Sequence, residues 1–308
     1  MILERGAYGC VVKPSIPCKK YYDESVGKLF HKDEYFDEEN KISEIISKVD
    51  PSSKFTMRKL DDCKVNNISK KDRRSCRYKK EDFPKYQIIY EYGGIDLVEF
   101  MKRDYDVKSL LPAIYNLCTG LVELEKHRLC HRDIKESNIL FREGKFYLID
   151  FGLMLSYDRL YDEEQNYVLR YNYSYYPPEF KIYYNYKFVN SNLSSIGNIY
   201  KFITRDVKLN YTKSEMVFDS RMIEKTVKNI LTNKATIDIL KMAMVQQAKK
   251  VDIFGVGVVL MKVLLHSNDK HIELKMKLFE ILRRCVELNP YKRMSPSNFK
   301  REIGLLYK

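Results

Sequence analysis

The stretch that decides the fold is His-Arg-Asp-Ile-Lys-Glu-Ser-Asn at residues 131–138, followed by Asp-Phe-Gly at residues 150–152. Three polar side chains of this stretch lie on one loop between apolar runs: Asp133, Lys135 and Asn138. The apolar run before Asp150 predicts a strand that delivers its carboxylate to the same place. Carboxylates, an ammonium and an amide that converge on one point suit a metal-bound nucleotide, because in-line phosphoryl transfer mostly needs charge held in place.

These two motifs, in this order and about a dozen residues apart, resemble the H-R-D-x-K-x-x-N catalytic loop and the D-F-G metal motif of eukaryotic-type protein kinases. The resemblance implies an α+β, bilobal protein-kinase fold with a small β-rich N-lobe and a larger helical C-lobe. It implies that Asp133 accepts or orients the substrate hydroxyl and that Lys135 stabilises the transferred phosphoryl group. Asn138 and Asp150 would hold magnesium.

The implied reaction is transfer of the γ-phosphoryl group of Mg-ATP to serine or threonine hydroxyls of protein substrates. Lys135, two residues after Asp133, is the feature that resembles Ser/Thr-specific kinases. Two alternatives stay open. The chain could be a pseudokinase scaffold that binds nucleotide without turnover, or a nucleic-acid-binding module that is carried on a kinase fold.

The N-terminal residues resemble the glycine-rich loop L-G-x-G-x-x-G-x-V, whose backbone closes over the phosphates in this family. The matching residues are Leu3, Glu4, Arg5, Gly6, Ala7, Tyr8, Gly9, Cys10 and Val11. Glu4 replaces the first glycine of the pattern. Gly6 and Gly9 match the two glycines that lie nearest the phosphates, so the loop is still expected to close.

The run at residues 26–30 resembles the V-A-I-K strand, which makes Lys28 the implied phosphate-binding lysine. Lys13 is the competing candidate, but it lies close to the glycine-rich loop. It also precedes Pro14, which interrupts a strand.

Apolar residues recur at helical spacing over residues 33–49, which predicts a helix that Pro51 ends. In the kinase family such a helix carries the glutamate that orients the lysine. Glu39 is the first choice, because Ile42 and Ile46 follow it on the same helix face. Glu38 is the alternative.

Residues 86–94 form an apolar strand that enters a glycine pair, which resembles the hinge between the kinase lobes. The resemblance implies that the backbone from Glu91 to Gly93 binds adenine. It also implies that Tyr90 is the gatekeeper residue and that Asp96 reaches the ribose.

Two downstream segments resemble structural motifs of protein kinases. Tyr-Pro-Pro-Glu at residues 176–179 stands where the family has A-P-E, and residues 252–257 resemble the D-x-x-x-x-G opening of the central C-lobe helix. The family pattern pairs the A-P-E glutamate with a downstream arginine. A buried ion pair between Glu179 and Arg293 is therefore expected.

The chain is expected to form one protein kinase domain over residues 1–308. The N-lobe is predicted at about 1–91, the hinge at about 91–95 and the C-lobe at about 96–308. Insertions are predicted at about 52–84 and 180–250, because these spacings exceed what the family needs. Helix-like runs at residues 216–231 and 237–245 predict that the second insertion is helical.

The net charge is +13, and a large share of the excess lies in the basic segment, residues 64–80. This segment can contact nucleic acid, a phosphoinositide or another acidic partner. A solvated basic loop is the alternative. Its basic residues are Lys64, Lys70, Lys71, Arg73, Arg74, Arg77, Lys79 and Lys80.

The sequence has no apolar run of membrane-spanning length and no secretory leader, so neither a membrane span nor a signal peptide is predicted. Seven scattered cysteines without C-x-x-C spacing predict reduced thiols and a cytoplasmic or nuclear location. The glycine-rich loop at the start, the Pro14–Cys18 continuation and the helix end at residues 49–51 are similar to kinases of large cytoplasmic DNA viruses. That similarity implies host cytoplasm or virion.

Overall fold

The computed structural model describes residues 2–5, 9–65, 68, 76, 84–160, 175–177, 180, 245–268, 270–287 and 289–307. These residues form a sheet-rich N-terminal part and a helical C-terminal part, which confirms the α+β bilobal kinase fold. The predicted helix at residues 216–231 lies outside the described residues, and so does the one at residues 237–245 except for Val245. So do most of the basic segment and most of the predicted 180–250 insertion.

The N-lobe is an antiparallel sheet of five strands with the order β1-β2-β3-β5-β4. The strands are β1 (Ile2–Arg5), β2 (Gly9–Val12), β3 (Ser25–Phe30), β4 (Lys59–Lys64) and β5 (Tyr86–Glu91). One long helix, α1 (Asp33–Val49), packs against this sheet and has the bounds that the apolar spacing predicted. The helix ends at Val49 with Asp50 as its C-cap, directly before Pro51, as expected.

The strand register gives the sheet two different faces. Lys28 of β3 lies opposite Val11 of β2 and Ile88 of β5, so these three side chains share the face that α1 covers. The next position on each strand points to the other face, because side chains alternate along a strand. That outer face carries a row in register: Cys10, Leu29, Gln87 and Cys63.

Two disulfides close the two ends of this outer row. Cys10 is bonded to Cys76, and Cys18 is bonded to Cys63. Gln87, fully buried between them, donates from its amide nitrogen to the carbonyl of Ile16 and accepts from the Ile16 amide at 3.2 Å. The connection between β2 and β3 therefore lies over the outer face, and the sheet is covered on both sides.

The expectation that all seven cysteines are reduced thiols is wrong for these four. The paired cysteines are separated by 66 and 45 residues, so their approach depends on the order of the strands and not on local spacing. Cys118, Cys130 and Cys285 remain free, and all three are buried. The predicted cytoplasmic location loses the support that the cysteines gave it.

The loop after α1 joins the two lobes. The buried carboxylate of Asp50 accepts hydrogen bonds from the amides of Lys54, Phe55 and Thr56 at 2.8, 2.9 and 3.0 Å, and from the Thr56 hydroxyl at 2.9 Å. The carbonyl of Phe55 accepts from the amide of Leu148, which lies in the C-lobe. One buried side chain, that of Asp50, therefore fixes the conformation of this loop.

The C-lobe is mainly helical. Its helices are α2 (Leu97–Phe100), α3 (Val107–Lys126), α4 (Val251–His266), α5 (Ile272–Cys285) and α6 (Pro296–Tyr307). Short strands pair in two small sheets: β6 (Ile95–Asp96), β8 (Ile139–Arg142) and β9 (Lys145–Leu148) in one, and β7 (Leu129–Cys130) and β10 (Leu155–Ser156) in the other. Helix α4 is buried along most of its length and forms the centre of the lobe. Within the described ranges, every helix is too short or too polar to cross a membrane.

Thiol counting tests the disulfides. In the native, non-reduced protein we expect almost no reaction with Ellman's reagent, because burial raises the pKa of the Cys118, Cys130 and Cys285 thiols and the other four cysteines are bonded. In guanidinium without reductant three thiols should react. Prior reduction should raise this number to seven. Seven reactive thiols without reduction would contradict the pairing. In guanidinium without reductant, Cys76→Ser should show one more reactive thiol than the wild type, that of Cys10.

Replacement of Asp50 tests the loop between the lobes. Asp50→Ala leaves buried amides without an acceptor, so we expect unfolding in urea to show a loss of about 3 kcal/mol. Asp106→Ala is the matched control, because Asp106 is a partly exposed N-cap whose carboxylate accepts from the single amide of Ser109 at 3.0 Å. It should lose only about 1 kcal/mol. Equal losses in the two variants would show that the Asp50 network adds nothing beyond an ordinary cap.

Candidate active site

The catalytic-loop motif is held by the first turn of helix α4. The Asp252 carboxylate accepts hydrogen bonds from the amides of His131 at 2.7 Å and Arg132 at 2.9 Å. Burial raises the pKa of Asp252, and the nearby His131 side chain and these two amide bonds offset this only in part. The loop before Asp133 is thus fixed to the centre of the C-lobe.

His131 connects the catalytic loop to the Asp-Phe-Gly segment. Its Nδ1 accepts from the Asp133 amide at 3.2 Å, and its Nε2 lies 3.0 Å from the carbonyl of Ile149. A carbonyl only accepts, so Nε2 carries the proton in this arrangement. The imidazole also contacts the ring of Phe151, with 4.5 Å between ring centroids. Both motifs therefore share one buried side chain.

Three residues of the catalytic loop converge as the sequence predicted. Lys135 Nζ lies 2.8 Å from Asp133 Oδ2, and Asn138 Nδ2 donates to the same oxygen and to the Asp133 carbonyl, each at 2.8 Å. Asp133 is fixed by two donors on one oxygen. The amide nitrogen of Asn138 is engaged with Asp133, which leaves its Oδ1 as the atom suited to a cation.

The second half of the site is built around Lys28. Its Nζ lies 2.9 Å from Glu39 Oε2 and 3.1 Å from Asp150 Oδ1. Burial by itself lowers the pKa of Lys28, but the charges of Glu39 and Asp150 outweigh it and the pKa rises. Burial likewise raises the pKa of Asp150, yet Lys28 outweighs it and the net pKa is lowered. The ammonium of Lys28 and the carboxylate of Asp150 are therefore both charged at neutral pH.

The choice of Lys28 and Glu39 over their alternatives agrees with these contacts. Lys13 Nζ lies 3.4 Å from Glu24 and 3.0 Å from the ring centroid of Tyr92, so its contacts are with residues other than Glu39 and Asp150. Val11 lies on the Lys28 face of the sheet, and its contact with a nucleotide stays a prediction. The Cys10 side chain is bonded on the opposite face, so its predicted contact with nucleotide can come only from its backbone.

Strands β1 and β2 pair as a hairpin on either side of residues 6–8, in keeping with the predicted loop. Gly6, Ala7 and Tyr8 themselves lie outside the described residues. Glu179 also lies outside the described residues, so the expected Glu179–Arg293 ion pair stays a prediction. Arg293 is buried and donates to the carbonyl of Glu287 at 2.8 Å.

Strand β5 ends at Glu91, where the sequence predicted the start of the hinge. The amides of Glu91 and Tyr92 donate at 2.9 Å to the carbonyls of Arg58 and Glu24, so these two amides already have partners within the chain. Gly94 has φ +88°, and a Cβ there would lie 2.2 Å from the Phe141 carbonyl oxygen. This position therefore requires glycine.

Asp96, the residue expected to reach the ribose, is the N-cap of helix α2. Its Oδ1 accepts from the Glu99 amide at 2.8 Å. The cap places Asp96 directly after the hinge and fixes its side chain, because the first helical amides need an acceptor. Contact with a ribose stays a prediction.

Some contributions to the site could not be found from the sequence. Asp252 was singled out as the start of a helix, but its partners lie 120 residues earlier in the chain. Tyr176 donates its hydroxyl to the Arg132 carbonyl, and Ser43 binds the hydroxyl of Tyr90. No motif or spacing marks these contacts, because each depends on how separate elements pack.

Comparison with known proteins gives the class that this fold and site define. The sequence model of the protein kinase domain matches residues 74–302, well over half of the 308-residue chain. The chain therefore belongs to the protein kinase family. The match includes the catalytic loop and the Asp-Phe-Gly segment, whereas Lys28 and Glu39 precede it.

Similar curated proteins are named as kinases. The chain is 32% identical over 100 residues to the probable serine/threonine-protein kinase fnkB of Dictyostelium discoideum, which covers 31% of this chain and 19% of that protein. It is 29% identical over 121 residues to the stress-activated protein kinase JNK of Suberites domuncula, and this match covers 39% of this chain and 32% of that protein. A third similar protein is the probable serine/threonine-protein kinase glkA of Dictyostelium discoideum, which is 30% identical over 114 residues. This match covers 35% of this chain and 24% of that protein. The chain thus spans at most 32% of the length of these relatives.

Replacement of Asp252 tests the attachment of the catalytic loop. Asp252→Asn keeps one acceptor oxygen and puts an NH₂ group against the second amide, so we expect urea unfolding to show a loss of about 2 kcal/mol. Asp158→Asn is the control, because the carboxylate of Asp158 forms an exposed ion pair with Arg128. That variant should change stability by less than about 0.5 kcal/mol. If Asp252→Asn is equally mild, the two amide bonds do not stabilise the loop.

Proposed function

We propose that this chain transfers the γ-phosphoryl group of Mg-ATP to serine or threonine hydroxyls of protein substrates. The observation that supports this most strongly is the pair of charge clusters formed by residues of the predicted nucleotide and catalytic sites. One cluster joins Asp133, Lys135 and Asn138, and the other joins Lys28, Glu39 and Asp150. His131 contacts both motifs that carry these clusters.

In this proposal Asp133 orients the substrate hydroxyl and accepts its proton. Hydrogen bonds from Lys135 and Asn138 to one carboxylate oxygen hold the Asp133 side chain in place, so its carboxylate would be positioned to accept the proton. Lys135 then lies beside the point of attack and offsets the negative charge on the transferred group. Such positioning accounts for most of the catalysis in this reaction class, because little covalent chemistry is needed.

The donor set suits magnesium that is shared with a nucleotide. Asn138 Oδ1 and the exposed carboxylate of Asp150 are oxygen ligands of the kind that Mg²⁺ prefers. In the described part of the chain no group of three or more His, Cys, Asp or Glu side chains could hold a metal by itself. Phosphate oxygens and water would complete the coordination, and bound Mg²⁺ would neutralise charge on the phosphates.

Nucleotide binding would use the remaining predicted residues. Lys28, kept charged by Glu39 and Asp150, would contact the phosphates under the loop of residues 3–11. Adenine would bind the backbone between Glu91 and Gly93. Since the amides of Glu91 and Tyr92 are used within the chain, the Glu91 carbonyl and the Gly93 amide are the groups we assign to adenine.

Serine and threonine are the proposed acceptors for two reasons. Lys135 stands two residues after Asp133, as in Ser/Thr-specific kinases. Two of the similar proteins are also named as probable serine/threonine-protein kinases. An acidic or nucleic-acid partner of the basic segment, the viral source and the cytoplasmic location stay predictions.

The test is incorporation of labelled γ-phosphate from Mg-ATP into the protein and into a basic or casein-like substrate. We expect transfer by the wild type and a loss of at least about 100-fold in Asp133→Asn, because the hydroxyl loses its base. Asp104→Asn, an exposed position, is the matched control and should keep full activity. Phosphoamino acid analysis should show phosphoserine or phosphothreonine.

Other outcomes would favour the two alternatives. Equal background transfer in the wild type and Asp133→Asn, with ATP still bound, would favour the scaffold. Salt-sensitive nucleic-acid binding that is lost on neutralising residues 70–80, without any transfer, would favour the basic module. Label on tyrosine alone would contradict the Ser/Thr assignment.

A further inference from the structure

The hydroxyl of Tyr90 lies between the sheet and helix α1 at the Lys28 site. Tyr90 is on β5 opposite Val26 of β3, so its side chain points to the same face as Lys28. Its hydroxyl is 3.3 Å from Glu39 Oε1 and 2.7 Å from Ser43 Oγ. The other oxygen of Glu39 binds Lys28. Each carboxylate oxygen of Glu39 therefore has its own partner.

The direction of these hydrogen bonds follows from counting protons. A phenol has one proton, and a carboxylate can only accept. Burial raises the pKa of Tyr90 and the charge of Glu39 raises it further, so the hydroxyl keeps its proton at neutral pH although Lys28 and Ser43 act in the opposite direction. Tyr90 therefore donates to Glu39, and the Ser43 hydroxyl donates to Tyr90. The result is a continuous series of hydrogen bonds from Ser43 through Tyr90 and Glu39 to Lys28.

These hydrogen bonds hold helix α1 at two points, Glu39 and Ser43. Glu39 and Ser43 are four residues apart, so they lie one turn apart on the same face of the helix. A single hydroxyl from the sheet that binds both residues restricts rotation of the helix and movement along its axis. Glu39 then keeps its carboxylate against Lys28 and does not turn to solvent. In this position the Glu39 side chain is only 13% exposed.

We propose that Tyr90 is a positioning residue, whose hydroxyl and its Ser43 partner hold Glu39 and helix α1 so that Lys28 is aimed at the nucleotide phosphates. The inference rests on the proposed function, since it assumes that Lys28 binds phosphates. The hydroxyl acts only through Glu39 and touches no reacting atom. Its loss should therefore affect ligands that carry phosphates and not ligands that lack them.

The experiment compares the affinities for Mg-ATP and for adenosine in the wild type and in Tyr90→Phe. We expect Mg-ATP to bind on the order of fivefold more weakly, because one hydrogen bond to the charged Glu39 is lost. Adenosine affinity should stay within about twofold, since the nucleoside does not reach Lys28. Ser43→Ala should shift Mg-ATP affinity in the same direction by a smaller factor.

The matched control is Tyr86→Phe. Tyr86 lies on the same strand and face, and its hydroxyl binds Asp33 at the start of helix α1 at 3.3 Å, away from Glu39. This variant should leave the ratio of the two affinities unchanged. A second control is the double variant Tyr90→Phe with Glu39→Gln, which should bind Mg-ATP no more weakly than Glu39→Gln alone if Tyr90 acts through Glu39.

Three results would overturn the proposal. Tyr90→Phe could bind both ligands as the wild type does, it could lose affinity for both equally, or Tyr86→Phe could show the same selective loss. None of these measurements needs turnover. A chain that transfers no phosphate but loses Mg-ATP selectively in Tyr90→Phe would refute the proposed function and leave the role of Tyr90 standing.

Discussion

The ion cluster of Lys28, Glu39 and Asp150 is the interaction on which the site depends. Its members come from strand β3, helix α1 and the end of the strand before the Asp-Phe-Gly segment, so it forms only when both lobes are folded and in contact. A buried charge is tolerated in a protein interior when it is paired, and removal of one partner leaves the others destabilised. The sheet, the helix and the C-lobe are therefore coupled through one ammonium group.

The surroundings of this cluster limit its movement from several directions. Asp50 fixes the loop that leads from helix α1 to the C-lobe, and Asp252 fixes the loop that carries Asp133. On the outer face of the sheet, the two disulfides and the amide of Gln87 hold the covering segments in place. Helix α1 itself is held against the sheet by the hydrogen bonds that link Ser43, Tyr90 and Glu39.

Much of the fold and part of the site could be predicted from local patterns. The bounds of helix α1 follow from apolar residues at helical spacing, and the same periodicity places Glu39 rather than Glu38 beside the sheet. The convergence of Lys135 and Asn138 on Asp133 could also be predicted from the sequence, since all three residues belong to one short loop. Such contacts depend on backbone conformation over a few residues, which local sequence specifies well.

The sequence by itself determined the catalytic-loop and Asp-Phe-Gly motifs, the strand that carries Lys28 and the helix that carries Glu39, because each is written in adjacent or periodically spaced residues. Only the tertiary structure decided that Cys10 bonds Cys76 and Cys18 bonds Cys63, against the expectation of reduced thiols. It alone brought Asp252 to the catalytic loop and Tyr90 to Glu39. The physical reason is that strand order and helix packing choose these partners, and residues far apart in sequence carry no local sign of meeting.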